Sequence, residues 1–333
     1  MLLPLQTGEV LRQRYRVTRL IGQGGMGSIY QAEDLLLEGR QCAVKEVQGD
    51  PLANPQLQQQ QRDQFYREAS VLARLDHPSL PKVSDFFAIN GKDYLVMDFV
   101  PGRNLKEIMD EARQAGRFLP EGQVLEWAGQ MFEALDYLHR QDPPIVHRDI
   151  KPSNVKLTPT GLIKLVDFGL VKLLAPDERT VTIVQGLGSA HYTPLEQYGG
   201  DSGHTDARAD IYALGATLYH LLTHEPPLEA KQRFLRPEDF KPPRSINPAI
   251  ASTVEQAILW AMDLHPDSRP PDIATLRAAL QGSGPGLKVR TEGQVITVQP
   301  TFTIPVLPTD ADRYLALTAG GLMLLALILT LFR

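Results

Sequence analysis

The chain has 333 residues, 43% of them hydrophobic and 22% charged, enough for one large two-lobed domain with a tail or for two ordinary domains. Its formal net charge of -5 argues against nucleic acid as a partner, because phosphate backbones select a basic excess. The single cysteine, Cys42, excludes an internal disulfide, and Met1-Leu2-Leu3-Pro4 lacks the basic start and long apolar run of a signal peptide.

From Tyr15 to Val100, short runs alternate apolar and polar residues: 15–22, 27–34, 41–47, 83–89 and 92–100. This spacing predicts a small antiparallel sheet of five strands. Residues 51–64 are Gln-rich and read as an extended loop leading into a helix over 65–75, with Phe65, Ala69, Leu72 and Leu75 on one face. From Asn104 to Leu280 the pattern turns helical. Leu125, Ala128, Phe132, Leu135 and Leu138 form a stripe over 124–140. Residues 209–223 are apolar almost all round, which predicts a buried central helix. Two shorter amphipathic helices are expected over 252–263 and 273–280.

The expected organisation is therefore α+β, with a domain over 15–280 built from a strand-rich lobe (15–100) and a helical lobe (101–280). A cleft between such lobes is the natural place for a ligand. Residues 281–313 are rich in Gly, Pro and Thr and read as a linker. Leu315 to Phe332 carries no charge and would span roughly 27 Å as a helix, close to the hydrocarbon thickness. With Tyr314 and Arg313 at one end and Arg333 at the other, residues 314–332 are expected to form a single transmembrane helix. The alternative is a buried core helix, for which the preceding stretch offers no partner elements.

Several motifs carry chemistry. Ile21, Gly22, Gln23, Gly24, Gly25, Met26, Gly27, Ser28 and Ile29 form a Gly-rich turn between two predicted strands. Such a turn can bend over phosphate oxygens, although Gly-rich hairpins are common. Ala43 and Lys45 share one face of the next strand, opposite Cys42 and Val44. A lone strand lysine is usually solvated, but Glu68 on the following helix offers an ion-pair partner. The strongest signal is His147-Arg148-Asp149-Ile150-Lys151-Pro152-Ser153-Asn154. It places a carboxylate, an ammonium and a metal-capable amide in one short loop. Asp167-Phe168-Gly169 then closes an apolar strand, and its Asp can chelate a divalent cation.

With these motifs in this order, the chain resembles the bacterial eukaryotic-like serine/threonine protein kinases over about 265 residues. The resemblance implies a two-lobed kinase-like fold and ATP-dependent transfer of the γ-phosphate to Ser or Thr hydroxyls of protein substrates. It makes Asp149 the catalytic base and Lys151 the group that steadies the γ-phosphate. Asn154 and Asp167 would hold Mg²⁺, with Mn²⁺ as an alternative. Lys45 would contact the α- and β-phosphates and pair with Glu68. Met97 stands at the gatekeeper position, the backbones of Asp98 and Val100 face the adenine edge, and Ile21, Ile29 and Ala43 form its apolar lid.

The same resemblance assigns Arg148, with Lys172, to grip a phosphorylated activation segment running from Leu170 to about Glu196. Thr180 and Thr182 are expected autophosphorylation sites, and Ser189 is expected to contact Asp149 and Lys151. Glu196 should pair with Arg269, and Asp210 should bond the catalytic-loop backbone. The expected setting is a membrane-tethered enzyme with its catalytic domain in the cytoplasm, only a residue or so emerging beyond the bilayer, and a homodimer for trans-autophosphorylation. Three features depart from the family pattern: Pro194-Leu195-Glu196 shifts the usual proline, Lys156 stands at the apolar floor of the adenine pocket, and the Gln-rich insertion precedes the Glu68 helix.

Overall fold

A computed structural model describes residues 4–24, 27–47, 54–167, 189–198 and 206–283. The chain divides into two compact units, Met1–Leu287 and Lys288–Arg333. Gly25, Met26, Phe168, Gly169, Lys172, Thr180, Thr182, the linker from Gly284 onward and the expected membrane helix at 314–332 lie outside the described residues. Among the described residues, no helix is long and apolar enough to cross a membrane.

The strand-rich lobe is a wholly antiparallel sheet of six strands, not five, in the order β1-β2-β3-β4-β6-β5. The strands are β1 (Val10–Leu11), β2 (Tyr15–Gly24), β3 (Gly27–Asp34), β4 (Gln41–Val47), β5 (Val83–Ile89) and β6 (Lys92–Asp98). The additional strand, β1, is two residues long, too short for alternation to reveal it. It turns back onto β2 through Arg12 and Gln13, both left-handed at φ 52° and 54°. The sheet has two working faces. Cys42, Val44, Tyr94 and Val96 join Leu11, Tyr15, Ala32 and Phe87 in a small core on one side. Ala43, Val47, Leu95 and Met97 belong to the main core on the other.

Helix α1 (Pro55–Leu72) covers that second face, and it corrects the expectation of an extended Gln-rich loop. Glutamine is a good helix former, and proline is well placed at a first helical position because its missing N–H would go unused there. The Asn54 carbonyl accepts the Gln58 N–H at 3.0 Å, so the helix starts a full three turns before the apolar stripe of Phe65, Ala69 and Leu72. Tyr66 meets Phe86 of β5 edge-on, with ring centroids 5.4 Å apart.

The chain leaves β6 through residues 99–102 and enters the helical lobe. There β7 (Arg103–Asn104), β8 (Val155–Leu157) and β9 (Ile163–Leu165) form a small antiparallel sheet. Gly102 has φ +99°, and a Cβ on it would lie 2.1 Å from the Leu157 carbonyl oxygen, so only glycine fits this crossing. Asn104 caps α2 (Leu105–Gln114) in a reciprocal box with Glu107. Next come α3 (Glu121–His139), α4 (Ala207–Thr223), α5 (Ala230–Leu235), α6 (Pro243–Ile246), α7 (Ser252–Ala261) and α8 (Ile273–Leu280). Helix α4 is buried along its length, as its all-round apolar sequence predicts. Gly215 lets it approach α7: a Cβ there would stand 2.8 Å from the Ala261 Cβ.

Candidate active site

The site lies where the cleft face of the sheet meets the loop after α3. Strand register alone sets the roof. Ile29 pairs with Lys45, Gln31 with Ala43, and Ala43 with Met97, so Ala43 and Lys45 share the face that carries α1. Ala43, Lys45, Met97 and Val100 are all buried, while Ile29 is half-buried and Ile21 lies 38% exposed at the rim. The β2–β3 turn closes with Gly22 opposite Ile29, Gln23 opposite buried Ser28, and Gly24 opposite Gly27. Gly27 has φ +134°, and a Cβ there would fall 1.9 Å from the Glu46 carbonyl oxygen. The turn can therefore sit tight on β4 only with glycine at this position.

At the end of β6, the Asp98 carboxylate turns toward Lys82 and Arg40. It accepts the Lys82 N–H at 3.2 Å and a contact from Arg40 at 3.4 Å. The Val100 N–H makes no hydrogen bond among the described residues, which leaves a donor at the slot edge.

The catalytic loop is irregular backbone, so buried polar anchors must hold it. Asp210, fully buried in the first turn of α4, accepts the N–H groups of His147 and Arg148 at 2.8 Å each and contacts His139 Nε2 at 2.9 Å. These bonds hold Arg148 at φ 67°, a left-handed conformation uncommon for a side chain of this kind. Burial opposes charge on Asp210, but its bonds to His139 and to the loop outweigh burial and hold the carboxyl below its usual range.

Within the loop, Asp149 is the hub. Its Oδ2 accepts from Lys151 Nζ at 2.8 Å and from Asn154 Nδ2 at 2.7 Å. The Ser189 hydroxyl donates to Asp149 Oδ1 at 3.3 Å and accepts from Lys151 Nζ at 2.8 Å. A serine hydroxyl thus sits between the carboxylate and the ammonium. Its loop is fixed from behind: Thr193 Oγ1 donates to the Ser189 carbonyl at 2.8 Å, and the Tyr192 hydroxyl lies 2.5 Å from His220 Nδ1. The sequence pattern did not single out Tyr192 and His220, because a histidine inside an apolar helix leaves no local signature.

Asp167 follows β9 at φ 58° and is pinned beside the loop by the Val166 N–H to the Asn154 carbonyl at 2.8 Å. Burial raises its pKa, but the Lys45 ammonium lowers it further and wins. Lys45 Nζ contacts Asp167 Oδ1 at 2.5 Å. Glu68, expected to pair with Lys45, is buried like the lysine, and its carboxylate accepts from Gln64 Nε2 at 2.9 Å. Helix α1 sets the position of Glu68, and its packing on the sheet is a tertiary outcome that local pattern does not encode.

Two features suit this corner to a hard divalent cation. The Asn154 amide nitrogen is committed to Asp149, leaving Oδ1 as its acceptor, and one Asp167 oxygen remains beyond Lys45. Among the described residues, no cluster of three His, Cys, Asp or Glu side chains stands ready as a metal cage.

Away from the cleft, the Arg269 guanidinium, fully buried, grips Glu196 through two bonds of 2.6 and 3.0 Å and also bonds the carbonyls of Asp263, Arg208 and Leu264. The shifted proline in Pro194-Leu195-Glu196 therefore leaves this pair intact. Lys156, on β8, sends its ammonium over the Phe99 ring, 5.7 Å from the centroid. Burial, aided by the Arg19 guanidinium and opposed by Glu107, holds the Lys156 ammonium below its usual pKa.

Residues 15–271 match the protein kinase domain family. A probable serine/threonine-protein kinase of Streptomyces coelicolor is 36% identical over 271 residues, covering 77% of this chain and 38% of that protein. The serine/threonine-protein kinase PknB of Mycobacterium leprae is 32% identical over 327 residues, covering 95% of this chain and 48% of its own length. This chain thus spans less than half the length of these two curated relatives. Among solved structures, the PknI kinase domain of Mycobacterium tuberculosis is 27% identical with a TM-score of 0.64, covering 84% of this chain and 99% of that one. The chain belongs to the protein kinase family, within its bacterial eukaryotic-like serine/threonine branch.

Proposed function

We propose that the protein is an ATP-dependent serine/threonine protein kinase that transfers the γ-phosphate of ATP to hydroxyls of protein substrates. The observation that carries this reading is the Ser189 hydroxyl seated against both Asp149 and Lys151. An incoming serine or threonine hydroxyl presented to Asp149 Oδ1 would have its proton accepted there as the oxygen attacks in line. Lys151, already bonded at that oxygen position, offsets the negative charge that develops. Lys45 neutralises the inner phosphates from the roof. Asn154 and Asp167 would hold Mg²⁺ or Mn²⁺, which supplies charge neutralisation between the phosphates. The protein's main task is positioning and electrostatics, not covalent chemistry.

The test is transfer of labelled phosphate from ATP with Mg²⁺ to the chain itself and to a generic protein substrate. Asp149→Asn should reduce transfer by roughly 10²- to 10⁴-fold. Equal labelling by the variant, or no labelling by the native chain, sinks the reading.

Regulation and location belong to the same proposal. The Arg148 Nε is buried without a hydrogen-bond partner among the described residues, which suits a phosphorylated Thr180 or Thr182 arriving on the activation segment. Phosphopeptide mapping checks this, and a second copy of the chain is the proposed enzyme for that step. The uncharged stretch Leu315–Phe332 supports a membrane anchor with the catalytic domain on the cytoplasmic, ATP-containing side. Deleting 314–333 should move the protein to the soluble fraction.

A further inference from the structure

Among the described residues, the Lys156 ammonium has neither a hydrogen bond nor an ion pair, and only Glu107 acts on it favourably at longer range. Val155 and Leu157 pack with the core of the helical lobe, so strand alternation turns Lys156 to the opposite face of β8, toward the roof strands. Its ammonium ends over the Phe99 ring, on the segment that lines the slot edge. Other lysines that are at least half-buried all have a polar partner: Lys45 bonds Asp167, Lys92 bonds Glu46, Lys151 bonds Asp149, and Lys164 bonds the Leu80 carbonyl. Among the described residues, Lys156 is the one half-buried lysine whose ammonium has neither a hydrogen bond nor an ion pair.

We propose that Lys156 sets the nucleotide affinity of this kinase by two opposed effects of one side chain. Its four-carbon stem supplies the apolar floor on which a purine lies. Its ammonium is served by a ring face and the water that reaches the open slot, and a purine covering the slot removes that water. The remaining cation–π contact replaces hydration only in part, so base binding is weaker than an uncharged floor of equal reach would give. The inference rests on the kinase reading and deepens it. It concerns the base and sugar, not the phosphates, because the phosphate-facing groups are Lys45, Lys151 and Asp167.

The experiment measures equilibrium binding of adenosine, and separately of ATP with Mg²⁺, to the full chain by titration calorimetry. Lys156→Met keeps the reach and removes the charge, and it should bind adenosine about three- to tenfold tighter. Lys156→Ala removes both and should bind adenosine more weakly than Lys156→Met by a similar factor. Adenosine affinity in Lys156→Met that is unchanged or weaker overturns the proposal, since the ammonium would then be neutral or a direct contact. Matching thermal midpoints of the three unliganded proteins certify that each variant is folded. If the native chain transfers phosphate but Lys156→Met fails to tighten, only this inference falls. If neither adenosine nor ATP binds any of the three proteins, the kinase reading falls with it.

Discussion

The two lobes fix their functional groups by different physics. In the sheet lobe, Ala43 and Lys45 are aimed by register: each ladder bond on either side of β4 repeats the same instruction. In the helical lobe, Asp149, Lys151 and Asn154 sit on a loop with no ladder, and a few buried polar groups hold it, chief among them Asp210. Redundant support tolerates local damage, and concentrated support does not. Defects in the sheet lobe should therefore appear first in nucleotide binding. Defects at the loop anchors should appear in turnover and in global stability.

The largest expected effect follows from this contrast. Asp210→Ala leaves the buried N–H groups of His147 and Arg148 without their acceptor and should cost about 3–5 kcal/mol, read from denaturant midpoints. Phosphate transfer should fall more than about tenfold while adenosine affinity stays within about twofold of the native value. An equal loss in both would erase the distinction between the lobes. Gly27→Ala is the converse. The added Cβ meets the Glu46 carbonyl, so β3 must shift at a cost of about 1–3 kcal/mol. KM for ATP should rise with kcat largely kept, and a fall in kcat alone would contradict the assignment of β3 to binding.

The smallest effect is a pH dependence. Burial pushes the His220 pKa from 6.5 down to about 4, so the folded state favours the neutral ring that accepts from Tyr192. Its contribution to stability is complete above pH 6.5 and is lost as the pH falls toward 4, reaching up to about 2 kcal/mol at pH 5. His220→Gln keeps an acceptor but cannot titrate. Its urea midpoint should change less between pH 7.5 and pH 5 than that of the native chain, and parallel profiles would refute this source of acid sensitivity.

Much of this architecture could be read from the chain because its elements obey single-period rules. The short apolar–polar runs over 15–22, 27–34, 41–47 and 83–89 mark strands, 27–34 alternating most cleanly, and the observed elements begin at the same residues. The central helix announces itself by being apolar on every side. What escaped was set by tertiary context. A polar Gln run forms helix or loop according to what it abuts, and here Asn54 and Pro55 start a helix early. Leu105–Gln114 opens behind a capping box of Asn104 and Glu107, and the brief helices at Ala230–Leu235 and Pro243–Ile246 are too short for any periodicity. At the site, the loop residues converge because they are neighbours in sequence. The contact of Lys45 with Asp167 joins residues 122 apart in sequence, which no local pattern states.

The contact at Gly102 has a mechanical consequence. Downstream of it, Arg103 and Asn104 are laddered to Leu157 and Lys156, and the Gly102 backbone itself presses on the Leu157 carbonyl. Upstream, Asp98 is the last residue laddered to β4. The covalent bridge between the lobes is thus reduced to Phe99, Val100 and Pro101, a short articulation with a proline at one end. Any swing of one lobe over the other must be absorbed by the torsions of this link. The Val100 amide lies inside it, so if it contacts the adenine as proposed, nucleotide binding and the torsions of this link would act on the same peptide group.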